Sequence, residues 1–156
     1  MKDKLFTDRV SVEQVEESNE LAPKFDKDGL IPVITMDAHS KEVLMLGYMN
    51  DESLKLTLAT QEAHYFSRSR QKIWHKGATS GLTQHVLEMR IDDDQDALWM
   101  LVEVDGGASC HVGYQSCFYR KIDQNDKAEF ALTFCEDEKT FDPKEVYGDA
   151  PNPTKL

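Results

Sequence analysis

The chain is 156 residues long with 40% apolar residues, and its 29 acidic against 18 basic side chains give a formal net charge of -11. That length suits one domain able to bury its own core. So acidic a surface repels nucleic-acid phosphates and anionic lipid, which excludes polynucleotide and membrane partners on global electrostatics and leaves room only for a small local phosphate pocket.

Residues 1–29 read as a polar N-terminal segment. Ser11 and Gln14 have the spacing of a capping box, which predicts a short helix over Val12–Leu21 before Pro23 and the Asp26–Gly29 turn. Residues 30–136 read as the globular body. Strands are predicted at LIPVITMDA, VLMLGYM, AHYFSRSR, VLEMRID, LWMLVEV, SCFYRKI and EFALTF, and one helix from Asp51 to about Thr60 is capped by Asn50. In VLEMRID the alternation through Leu87, Met89 and Ile91 predicts a strand buried on one face. Residues 137–156, with Pro143, Pro151 and Pro153, read as a tail holding a short helix. The expected fold class is α+β, mostly antiparallel sheet with few short helices. The start carries no apolar signal-like run, and no stretch approaches the roughly 18 apolar residues of a membrane span. Cys110, Cys117 and Cys135 are too few and odd in number for a disulfide framework, so a cytoplasmic protein with reduced thiols is expected.

Three segments carry candidate chemistry. If strand alternation persists past Ile91, Asp92, Asp94 and Asp96 share one side and suit a hard cation such as Mg²⁺, while Asp93 points away; the plain alternative is a solvated acidic turn. Cys110-His111-x-Gly113…Cys117 offers candidate zinc ligands. It is incomplete for a tetrahedral site, so the remainder must come from elsewhere in the fold or from a second subunit; the alternative is a structural cysteine pair beside a surface histidine. Cys135 stands apart and reads as core. Ser67–Arg70 followed by Trp74–Gly81 gathers cations, hydroxyls and glycines into a candidate phosphate pocket, against the alternative of a polar hairpin loop.

In this order, YFSRSR, W-x-KG-x-TSG, D-x-D-x-D, S-C-H-x-G and SCF closely resemble the phosphoribosyl-AMP cyclohydrolase family, the third-step enzymes of histidine biosynthesis. VLMLGYMN is similar to that family's N-terminal signature, and the likeness spans about Leu30 to Arg120. The resemblance implies hydrolysis of the N1–C6 bond in the adenine ring of phosphoribosyl-AMP by an interlocked homodimer. It also implies Mg²⁺ on Asp92, Asp94 and Asp96, Zn²⁺ on Cys110 and Cys117, and His111 as general base. Lys76, Thr79, Ser80 and Gly81, with Trp74 and Gly77 in the same loop and Arg68 nearby, are implied substrate contacts. The family's usual D-C-D-x-D places a third thiolate where this chain has Asp93, and Ala78 replaces a frequent Glu. Asp93 then ligates Zn²⁺ through oxygen, or the site prefers Mn²⁺ or Fe²⁺. The remaining alternative is a catalytically inactive paralogue that binds a purine nucleotide.

Overall fold

The computed structural model describes residues 4–156. At its centre, β1 (Ile31–Asp37) turns back into β2 (Val43–Met49), and Asp37 Oδ2 closes the turn by accepting the N–H groups of His39 and Ser40. β6 (Leu98–Val104) lies parallel to β1 on its other side, and β5 (Gln84–Ile91) pairs antiparallel with β6, giving the order β2-β1-β6-β5. The two central strands hold Val33, Met100 and Val102 fully buried.

Asn50 and Ser53 start α2 (Asp51–Thr60) with reciprocal bonds: Asn50 Oδ1 accepts the Ser53 N–H and Ser53 Oγ accepts that of Asn50, each at 2.8 Å. Thr57 Oγ1 then accepts the His64 N–H, pinning the helix to β3 (His64–Ser67), which pairs with β4 (Lys72–His75). Gly47 lets Tyr65 lie flat on β2, since a Cβ there would meet the ring at 2.6 Å. β7 (Arg120–Gln124) and β8 (Phe130–Phe134) form a separate ribbon that exposes Ile122, Phe130, Leu132 and Phe134. α1 (Val12–Glu17) and α3 (Pro143–Tyr147) are short.

The α+β class with mostly antiparallel pairing is borne out, but several expectations need correction. The first helix stops at Glu17, because the Ser18 hydroxyl and amide both return to Gln14 O; Ser11 Oγ caps as expected, whereas Gln14 Oε1 accepts from Val10 rather than Ser11. Trp74 and His75 belong to β4 and not to a loop. A bulge between Val86 and Glu88 resets the β5 register, leaving Leu87 58% exposed and Met89 and Ile91 half-buried. SCFYRKI pairs only from Arg120, because Ser116 Oγ donates to Val43 O and the Cys117 amide to Leu44 O, docking that stretch on β2. Cys135 is exposed on the end of the ribbon rather than in the core.

A chain of polar groups runs through the core. The Tyr65 hydroxyl lies 2.7 Å from Thr35 Oγ1 and donates to Gln84 Oε1 at 2.6 Å, and Gln84 Nε2 donates to Ser109 Oγ at 3.1 Å. All four residues are buried, so each partner lost strands another without water. Tyr65→Phe should cost about 1–3 kcal/mol, read as a lowered midpoint in urea unfolding. An unchanged midpoint would show that the chain carries no net stability.

Candidate active site

The thiol loop begins where β6 ends in the tight turn Asp105–Gly107. It folds back on itself: Gly113 N–H donates to Cys110 O, Cys110 N–H to Tyr114 O and Ser109 N–H to Gln115 O. Gly113 has φ +109, and a Cβ there would sit 2.4 Å from Phe141 O, so only glycine fits. From the tail, the two carboxylate oxygens of Glu136 accept the Gln115 and Ser116 amides at 2.8 and 3.0 Å.

This folding sets Cys110 against Cys117. The hydrogen bond from Cys117 brings the Cys110 thiol down to about 6, helped by the Val112 amide and the Lys76 charge against the cost of burial. The same bond pushes the Cys117 thiol up, and so does desolvation of its sulfur, although the residue as a whole is exposed. The pair therefore shares one proton near neutrality, a state ready to ligate a soft divalent ion. Lys76 is only 5% exposed; its Nζ donates to Ser109 O at 2.6 Å and lies 5.2 Å from the centre of the Trp74 ring. Burial lowers its pKa and the two thiols oppose that. His111 is half-buried, with Nε2 3.5 Å from Thr154 Oγ1. Burial first, then the Lys76 charge, hold its pKa below the ordinary imidazole value, while a hydrogen bond to Asn152 works the other way. Its ring is thus neutral and basic at neutral pH.

The glycine loop borders the same end of the sheet. Gly77 at φ +94 and Gly81 at φ +77 shape it, the Gly81 amide returning to Gly77 O. A Cβ on Gly77 would meet the Thr83 backbone at 2.5 Å. Thr79 is exposed, and Ser80 Oγ accepts the Leu82 amide. Arg68 lies on the Tyr48 ring at 4.1 Å. Lys76 stands at the base of this loop against the thiols, not on its open rim.

The aspartate turn lies at the other end of β6. Strand alternation ends at Ile91, and a turn brings the three carboxylates together. Asp92 Oδ1 accepts the amides of Asp96 and Ala97 at 2.9 and 3.1 Å, and Gln95 takes the left-handed conformation at φ 58. Ligand oxygens of Asp92, Asp94 and Asp96 lie within 4.8 Å of one another. Crowding raises the Asp96 carboxyl to about 6, chiefly through its hydrogen bond with Asp94, then burial and its bond with Asp92. Three hard oxygens that repel one another in this way fit a divalent cation. Asp93 is exposed and, with Glu16 and Glu20, lines a cleft of about 350 Å³.

The structure thus brings Cys110, Cys117, His111 and Lys76 together beside the Trp74–Gly81 segment, and Asp92, Asp94 and Asp96 together elsewhere. The seven residues of β6 span about 20 Å, so within one chain the two sets share no cavity. Sequence reasoning missed Gln84, Ser109 and Glu136. Gln84 leaves a trace, a polar residue opening a strand; Glu136 leaves none.

A paired thiol and thiolate, a neutral imidazole, a desolvated ammonium and a carboxylate triplet on this scaffold define an α+β enzyme. Among the described residues no helix is long and apolar enough to cross a membrane. Residues 45–119 match the family model described as phosphoribosyl-AMP cyclohydrolase. A phosphoribosyl-AMP cyclohydrolase of Rhodopseudomonas palustris (strain BisA53) is 54% identical over 135 residues, covering 86% of this chain and 92% of that protein. Those of Bradyrhizobium sp. (strain ORS 278) and Nitratidesulfovibrio vulgaris (strain DP4) are 53% and 52% identical, each covering 80% of this chain and 95% of its own. The chain belongs to the phosphoribosyl-AMP cyclohydrolase family.

Proposed function

We propose that this chain opens the adenine ring of phosphoribosyl-AMP at N1–C6, the third step of histidine biosynthesis, as a cytoplasmic homodimer. The observation that carries the reading is the clustering of His111, Cys110, Cys117 and Lys76 against the glycine loop. Water oxygen adds to C6, the N1–C6 bond breaks, N1 takes a proton and C6 becomes a carboxamide. His111, neutral at working pH, accepts the proton from water and returns it to N1. The hydroxyls of Thr79 and Ser80 and the turn at Gly77 and Gly81 hold phosphate or ribose, with Trp74 and Arg68 bordering them and Lys76 supplying charge at the base.

Cys110 and Cys117 would hold Zn²⁺, with Asp93 as an oxygen ligand in place of a third thiolate, and Asp92, Asp94 and Asp96 would hold Mg²⁺ beside the polyanionic substrate. Zinc so held would supply an acidified water, its pKa brought down to near neutrality. Two features support a dimer. The β7–β8 ribbon has two strands, marginal alone in water, and exposes four large apolar side chains that a partner would cover. A two-fold would also bring one aspartate turn to the other thiol loop, which a single chain cannot do.

The test is ring opening followed by absorbance on metal-free protein given single ions. Zn²⁺ with Mg²⁺ should restore turnover; better rescue by Mn²⁺ would mean that Asp93 has shifted the ion preference. If no divalent ion restores turnover, the chain is a nucleotide-binding paralogue instead.

A further inference from the structure

The N-terminal segment lies outside the residues matched by the family model and has no part in the chemistry above. It is nevertheless built onto the aspartate turn. Gln95, between Asp94 and Asp96, is 4% exposed. Its Oε1 accepts the Ala22 amide at 2.8 Å, its Nε2 donates to Val15 O at 2.9 Å and Glu20 O at 3.2 Å, and its carbonyl accepts the Lys24 amide at 2.7 Å. Arg9 ties the same parts together from outside, donating to Ala22 O at 2.7 Å and to Asp94 O at 2.9 Å. Ala22 is fully buried, Phe6 belongs to the core cluster, and Leu21 and Phe25 pack against it, so the segment is anchored independently of the turn.

The turn needs holding. A glutamine at φ 58 sits in a region that L-residues enter at a cost. The ligand oxygens of the three neighbouring carboxylates lie within 4.8 Å of one another, close enough to repel, and relaxation of the turn would let them spread apart. Hydrogen bonds donated by Arg9, Ala22 and Lys24, and those accepted by the Val15 and Glu20 carbonyls, oppose that relaxation. We propose that the stretch from Arg9 to Lys24 is a brace for the cation site, with Gln95 and Arg9 as positioning residues. They touch no ion; they fix the backbone that carries Asp94 and Asp96. The inference rests on the proposal that the triplet binds a divalent cation.

Loss of an outer-shell partner costs about 10–100-fold in metal affinity. Mn²⁺ binding to the full-length chain, read by the electron spin resonance of free Mn²⁺, should weaken about tenfold in Gln95→Ala. Arg9→Ala should weaken it less, and Arg9→Lys, which keeps one donor, should restore part of the loss. The far-ultraviolet circular dichroism spectrum serves as the folding control and should be unchanged in each variant. Mn²⁺ affinity of Gln95→Ala within about twofold of the unaltered chain overturns the brace. Loss of the folded spectrum along with the Mn²⁺ binding overturns it too, since the effect is then general unfolding. A separate arm tests the underlying reading: if the unaltered chain binds no Mn²⁺, or binding survives the triple change of Asp92, Asp94 and Asp96 to Asn, the triplet is no cation site and the brace falls with it.

Discussion

Cys110→Ser should abolish zinc retention and lower kcat/KM on the order of a thousandfold, about 4 kcal/mol at ~1.36 kcal/mol per decade, while Cys135→Ser leaves both unchanged. Serine keeps the volume of the buried Cys110 side chain, so packing in the loop survives, but its hydroxyl does not ionise near neutrality and does not ligate soft ions. The Cys117 bond that holds Cys110 down to about 6 is lost with the sulfur, and so is the partner for the Lys76 charge. Cys135 lies exposed just past the last strand of the ribbon, with its sulfur 3.9 Å from Thr133 O. Metal content by mass spectrometry and turnover on the same preparations check both variants. Equal losses from the two substitutions would undo the ligand assignment.

The donor types were legible because local spacing records them: two thiols and an imidazole within eight residues, three aspartates at alternate positions, glycines bracketing a Thr and a Ser. What spacing does not record is which ends of the sheet those segments occupy. Asp96 and Cys110 are close in sequence, yet an extended strand of seven residues stands between them and carries them far apart. Nor does spacing record how the aspartates converge: a turn with one left-handed residue, not strand alternation, gathers the carboxylates. The register of β5 escaped because a bulge breaks the period on which the alternation argument depends. Gln95 and Glu136 escaped for another reason. Each is a single polar residue whose partners lie in distant or patternless chain, and only burial or hydrogen bonding reveals its task.

The central claim is that the thiol loop of one chain works with the aspartate turn of another. Mixing two inactive proteins tests it directly: the triple Asp92, Asp94 and Asp96 to Asn variant, and Cys110→Ser, unfolded together and refolded at equal concentrations. Random pairing makes about half of the dimers mixed, and a shared two-fold site leaves one of their two sites intact, so about a quarter of the normal activity should return. Mixed dimers that form, as shown by differential tagging, yet stay as inactive as either parent would contradict the shared site.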